Sequence, residues 1–486
     1  MPAPADNTWK ITLKNFGNGF SPLAFYDSLT EVGNGGHASV MQNVDVLDNR
    51  LTQGPGLADL TGGTQAGNVT ELIHFILDKA TANDVGWAFG ATKLFKLSST
   101  AVAAGTAITG CTDGESLVAL KGNLYGFYNK ASGGDIFKMP LSTEIIDPDW
   151  GSTVPSGKAE LEDAPHPSAS KEDIMVFGNG QFAGNYFVES NTIDTEKLDF
   201  GEGNEVADVA YDSGYWWLAV NSNVTGSNRS EAQIFLWDGS TIPSTLSDEA
   251  AVGKQRIGFI YVIDAIKYVA YQDQSSSGFK IGFIAGKSIK PLAQFSGTLP
   301  TFAQKTLYRN TILFLSSALV YSGGAFVPDL PFQLSQHADG GYATVGAIAA
   351  PFGTPLVSSS DGGSNHRLAK FSDFTLAAAW KSIVFQVSAG KYKGVVDNIT
   401  VLTKTLGAGA ACSMTIEADQ GSRVSGALSI GTTGKRRHYF SAFELTGGVQ
   451  LEDFRIALDW SGGSATNDCA IREICINGHF VEVADA

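Results

Sequence analysis

The chain has 486 residues, a hydrophobic fraction of 43%, only 17% charged residues, and 56 glycines against 16 prolines. Its length predicts roughly two to four domains, and the glycine excess without a collagen period predicts many tight turns rather than disorder. Counterion-driven binding of a nucleic-acid backbone needs clustered Lys and Arg, and at a net charge of −16 only Lys435-Arg436-Arg437-His438 comes close, whereas an acidic chain can line a channel along which DNA slides without sticking.

The opening Met1-Pro2-Ala3-Pro4-Ala5-Asp6 has no basic segment followed by an apolar run, so no signal peptide is expected. Residues 1–80 read as an extended arm and first strands. Gly17-Asn18-Gly19 and Gly33-Asn34-Gly35-Gly36 separate short apolar runs, and Asn43-Val44-Asp45-Val46-Leu47 precedes Gly54-Pro55-Gly56. Val69 to Leu77 is the best helix candidate, although its short apolar patch also fits a strand.

Residues 81–330 carry a loose repeat of two strands and small turns. The first strand reads Asn123-Leu124-Tyr125-Gly126-Phe127-Tyr128, then Tyr215-Trp216-Trp217-Leu218, then Ile266-Lys267-Tyr268-Val269, then Thr311-Ile312-Leu313-Phe314. The second reads Leu94-Phe95-Lys96-Leu97, Ile136-Phe137-Lys138-Met139, Ile234-Phe235-Leu236-Trp237, Phe283-Ile284-Ala285-Gly286 and Leu319-Val320-Tyr321-Ser322. Recurrence at roughly 30–60 residues overlaps the spacing of propeller blades. One small twisted sheet cannot bury both faces, whereas radial stacking can, and it leaves only short edges. The prediction is all-β, a β-propeller-like domain of about five to seven blades; a meander of β-sandwiches is the alternative.

Residues 331–375, rich in Gly, Ser and Ala, read as a linker or closing strands. Residues 376–486 then show longer strands: Asn398-Ile399-Thr400-Val401-Leu402, Cys412 to Glu417, Phe454 to Trp460, and Ile471 to Ile476. Arg455 and Asp459 alternate with Phe454, Ile456 and Leu458, as in strands with one wet face, so a C-terminal β-sandwich is expected.

Chemistry is hard to find. There is no Gly-x-Ser-x-Gly elbow, P-loop, HExxH or GxGxxG after a strand. The histidines (His37, His74, His166, His337, His366, His438, His479) do not pair at ligand spacing. His337 with Asp339, and Asp361 with His366, read as loop residues. Cys111, Cys412, Cys469 and Cys475 form no CxxC pair and read as buried free thiols. Asp147-Pro148-Asp149-Trp150-Gly151 is acidic enough to suggest calcium, but its proline and missing downstream Glu depart from an EF-hand loop. Lys435-Arg436-Arg437-His438 reads as a charged hairpin turn. Trp216-Trp217 beside Tyr215 reads as blade packing rather than sugar stacking, because alternate residues face opposite sides. No catalytic residue, cofactor site, metal site or membrane-spanning run is assigned.

The order of parts carries a resemblance. A Gly/Asn-rich arm runs into Asn43-Val44-Asp45-Val46 and Gly54-Pro55-Gly56. A propeller-like middle follows, and a sandwich ends in Ile471-Arg472-Glu473-Ile474. This layout resembles the tail nozzle, or tail hub, proteins of short-tailed double-stranded DNA bacteriophages, and related phage tail propeller proteins. The resemblance covers most of the chain. It implies a non-enzymatic homo-oligomer, commonly a hexameric ring, assembled in the host cytoplasm and located in the virion tail. Such a ring sits below the portal and adaptor, docks fibre proteins, and passes DNA transiently without sequence-specific binding. Two other readings stay open: a receptor- or glycan-binding propeller at a tail tip, and a propeller glycoside hydrolase.

Overall fold

The computed structural model describes residues 8–14, 16, 38–42, 44–47, 50–54, 57–65, 71–78, 83–158, 161–222, 232–240, 247–251, 255–273, 278–286, 288–295, 297–308, 311–316, 319–324, 333–338, 344–360, 366–371, 377–389, 391–419, 423–441, 450–460 and 469–483. Among them the fold is all-β and mostly antiparallel, broken by one short helix, Trp150–Thr153, and a 3-10 turn at Pro351–Gly353. The chain divides into two compact units: residues 59–318 with 340–370, and residues 1–58, 319–339 and 371–486.

The first unit is a ring of small sheets. Blade 1 holds Glu71–Asp78, Asn83–Gly90, Lys93–Leu97 and Thr106–Ala107. The Val69–Leu77 segment, which fitted either helix or strand, is a strand where it is described. Blade 2 holds Asp113–Leu120, Asn123–Asn129 and Gly134–Pro140. Blade 3 holds Ser168–Lys171, Ile174–Asn179, Phe182–Phe187 and Thr192–Asp199, with Ser156–Lys158 added in parallel at its edge. Blade 4 holds Asn204–Asp212, Tyr215–Ser222, Gln233–Trp237 and Ser247–Ala251. Blade 5 holds Gln255–Ile263, Ile266–Asp273, Phe279–Ala285 and Ser288–Phe295. The hairpin Lys305–Tyr308/Thr311–Ser316 takes the sixth position. Blade 7 holds Thr344–Ala349, Leu356–Ser360 and His366–Phe371, and its fourth strand is Leu57–Gln65, from the start of the chain.

The first strands of blades 1 to 5 pack each on the next, as do those of blades 6 and 7, and that of blade 7 packs on that of blade 1. Blades 5 and 6 meet through Phe314, which lies 5.8 Å from Phe279 and 5.1 Å from Phe295, both edge-on. Tight turns set the hairpins. Ser213 (φ 52°) and Gly214 (φ 90°) both take the positive φ that a two-residue turn matched to strand twist requires.

The intervals between blades 1 and 5 are each a small core. Phe89, Leu124, Tyr128 and Phe137 fill the first to second. Tyr125, Phe127, Trp150, Phe177 and Tyr186 fill the second to third. Trp216 and Trp237 lie between blades 3 and 4 with Val176 and Leu198. Trp217 points to the opposite face and packs with Ile257, Ile260 and Tyr271 of blade 5. The adjacent tryptophans therefore serve two different seams, while Tyr215 is exposed.

The second unit is a two-sheet sandwich. One sheet orders Val44–Leu47, Arg50–Gln53, Ile471–Glu482, Tyr392–Thr403 and Ser388–Ala389; Thr8–Leu13 lies along Ile471–Glu482 and Arg437–Ser441 along Tyr392–Thr403. The other includes Leu319–Gly324, Gln333–Ala338, Ala38–Gln42, Ala378–Ser382, Asp453–Trp460 and Cys412–Ala418. Their facing sides make one core around Trp9, Phe16, Trp380, Met414, Phe454, Trp460 and Ile476. Strict alternation of burial along Cys412–Ala418 gives this sheet its one dry face.

Candidate functional site: a cavity at the centre of the ring

Four of the innermost strands of the ring share a local irregularity. In blade 2 the register slips between Gly114 and Ser116, leaving Glu115 as the extra residue. In blade 4 the slip leaves Ala207, in blade 5 it leaves Gly258, and in blade 7 it falls between Val345 and Ile348, across Gly346. Each bulge lies early in its strand. A bulge re-aims the residue it adds and locally ends regular pairing. Here all four residues, Glu115, Ala207, Gly258 and Gly346, line the same cavity of about 490 Å3. Three of the four positions are small and make room, and the fourth carries a carboxylate.

The walls are largely apolar: Pro165, Ile257, Leu299, Pro300, Phe302 and Ala303. The charged groups are Glu115, Glu205 and Arg256. Packing behind the lining is tight, since a Cβ on Gly258 would meet the Pro300 carbonyl oxygen at 1.9 Å. Glu115 Oε1 accepts a hydrogen bond from Asn129 Nδ2 at 2.9 Å. Burial, with the neighbouring Asp113 and Asp163 carboxylates, pushes the Glu115 carboxyl up to about 7. Asp113 is raised as well, by burial and then by Asp163, against a lowering bond from the Gly114 amide. Burial is the larger cause for both groups, and the neighbouring carboxylates add to it.

The blades that frame the cavity are pinned to one another by polar ties. Ser116 Oγ donates to the His166 carbonyl at 2.5 Å, joining blade 2 to the approach to blade 3. Asn221 bridges to blade 5, donating to the Ile257 carbonyl and accepting from the Ile257 amide, both at 2.8 Å. Buried Asp208 accepts the Ile260 amide at 2.6 Å and pairs with Lys305, whose ammonium also donates to the Ile260 carbonyl at 2.9 Å. Burial raises the Asp208 carboxyl despite Lys305. A second hollow, of about 640 Å3, is bounded only by residues of blade 3, among them Ser156, Asn185 and Glu196.

The residues singled out in the sequence lie elsewhere. Asp149 caps the Trp150–Thr153 helix and accepts the Thr153 hydroxyl at its carbonyl at 2.6 Å, which tucks Trp150 against Tyr125 and Tyr186 at 5.0 Å each. The Asp147 backbone exchanges both hydrogen bonds with Lys138. Among the described residues no three His, Cys, Asp or Glu side chains sit where they could share a metal ion. Gly434 turns the chain before the strand Arg437–Ser441, so the basic run spans a turn and a strand start. His166 is fully buried, and burial pulls its imidazole down to about 4. His366 begins a strand of blade 7; Asp339, Asp361 and the His337 side chain lie outside the described residues. All four cysteines are free thiols. Glu115 was missed because an inserted residue shows only against its partner strand. Its one sequence trace is a charged residue between Gly114 and Ser116 where the sister strands place Ala207, Gly258 and Gly346.

No family model matches the chain, and no curated protein matches it. Among solved structures it is similar to the PQQ-bound aldose sugar dehydrogenase of Streptomyces coelicolor, at 12% identity over 65% of this chain and 97% of that one, TM-score 0.38. It is also similar to BamB from Moraxella catarrhalis, at 12% identity over 68% and 97%, TM-score 0.35. Extracellular domains 1–2 of Drosophila Semaphorin 1a match at 8% identity over 65% and 88%, TM-score 0.42. The propeller-like fold rests on the strand pairing described above.

Proposed function

We propose that this chain is a structural protein of a bacteriophage tail, a nozzle or hub subunit that forms a ring continuing the DNA-ejection channel. The observation that carries this reading is how the chain is tied together. Strand Thr8–Leu13 lies along Ile471–Glu482, and Leu57–Gln65 completes blade 7, so segments distant in sequence are locked into the same sheets. Such weaving suits a static assembly component under load. The net charge of −16 suits a wall that repels the DNA backbone as it passes. The expected partners are further copies of itself, the portal or adaptor, and fibre proteins.

Native mass measurement with negative-stain imaging of purified protein and of virions tests the reading. Rings of several copies, six by the resemblance, are expected, with the protein present in virions; monomers that form no rings and are absent from virions overturn it. The central cavity favours a second reading, a receptor- or glycan-binding propeller at the tail tip, and saturable signal on a glycan array would select it.

A further inference from the structure

We propose that the central cavity is a binding site for an alkylammonium group, with Glu115 and Glu205 taking the charge and Ile257, Leu299 and Phe302 taking the carbon chain. The inference does not depend on the tail reading, and each can fail without the other.

Four observations converge on it. The cavity, about 490 Å3, lies in the range that small-molecule sites occupy. Its shape is built by bulges in four different blades, three of them at Ala or Gly, so the space is a repeated feature of the ring rather than a packing fault. The fourth bulge delivers a carboxylate into it, and Glu205, two blades on, delivers another. Around them Asp113 and Asp163 add negative charge against Arg256, the cation among the described lining residues, and all three are exposed. An anionic ligand would enter against that field, whereas a cation would relieve it.

The lining also says which cation. A bare metal ion needs several oxygen, nitrogen or sulfur donors, and the described residues hold no such group of three. Most of this wall is hydrocarbon, and it includes an aromatic ring, Phe302. A desolvated ammonium gains from carboxylates and from an aromatic face, while methylenes gain from the aliphatic walls. A short alkylamine satisfies both halves. The same chemistry reaches the site either as a free diamine or as the side chain of a lysine on another protein.

Isothermal titration of the full chain distinguishes these sources, with 1,5-diaminopentane as one probe and Nα-acetyl-lysine methylamide as the other. Saturable one-to-one binding of at least one probe is expected. Binding of the diamine alone assigns a free amine, and binding of the lysine derivative assigns a protein side chain. Glu115→Gln and Glu205→Gln should each weaken binding at least tenfold. Glu115→Gln keeps the side chain's shape and an oxygen for Asn129, and its thermal melt alongside wild type shows that the fold is intact. No binding of either probe overturns the proposal. So does unchanged affinity in a folded Glu115→Gln variant, or equal binding of glycerol at the same concentrations.

Discussion

Glu417 and Glu115 are both partly buried glutamates, and their surroundings push them in opposite directions. Burial alone would raise Glu417, but Lys381 Nζ at 2.6 Å and Arg455 Nε at 2.5 Å outweigh it and hold its carboxyl below the usual glutamate range. A carboxyl depressed by folding adds stability above its unfolded pKa, and that stability is lost as pH falls through the folded value. Glu417→Gln should therefore lower stability at pH 7 by about 1 kcal/mol, and the gap to wild type should close as pH falls below the depressed Glu417 value. Glu115 is raised instead, to about 7, so the folded state resists its ionisation. Wild type then loses stability as pH climbs from the ordinary glutamate value to about 7, and the deficit persists above it. Glu115→Gln removes that loss, and denaturant melts at pH 8 should show a gain of about 3 kcal/mol that vanishes at pH 4. A cavity that costs stability when empty is what a binding site trades for function.

At the scale of the element, the inner-strand bulges decide where chemistry can be placed. Gly258 is the sharpest case, because a methyl there would run into the Pro300 carbonyl at 1.9 Å, which is backbone and cannot turn aside. Gly258→Ala is expected to cost about 1–3 kcal/mol through forced backbone shifts and to lower the midpoint of urea unfolding, whereas Gly426→Ala, with open space around it, should change the midpoint little. Legibility in the sequence follows the same line. Phe454–Trp460 was readable because its wet and dry residues alternate locally. The two faces of Trp216-Trp217 followed from strand geometry alone. Blade 3 escaped notice, since Asn179-Gly180-Gln181 and the polar run through Thr195 and Glu196 break its short strands into unremarkable pieces. The cavity was invisible for a physical reason: register belongs to a pair of strands, and a single strand carries no mark of the residue its partner leaves unmatched.

At the scale of the whole molecule, the sandwich is assembled from three separated stretches of chain. The longer strands after residue 376 suggested a self-contained sandwich, but Thr8–Leu13 supplies Trp9, whose ring lies where a Cβ on Gly478 would sit, at 2.1 Å. Trp9 Nε1 donates to the His479 carbonyl at 3.2 Å. Pairing across more than four hundred residues has no local signature, so the first strands read as a loose arm. A fragment spanning residues 371–486 should accordingly fail to fold alone. Its amide proton spectrum is expected to lack the dispersion of the full chain, and a compact, dispersed spectrum would contradict the three-stretch assembly.

Leu57–Gln65 is the outer strand of blade 7, beside His366–Phe371. The ribosome makes the first of these roughly 300 residues before the second, a delay of roughly 15–60 seconds at common rates of synthesis. Throughout that interval the nascent chain holds an early strand that can bridge to Ala101 through Thr61 but whose blade 7 partner does not yet exist. Blades 2 to 5 can form in order as they emerge, but the closing sheet cannot. The last step in building the ring is thus a capture by the late strands of one made near the beginning, and a chaperone that shields the early strand would act on yield without touching the finished protein.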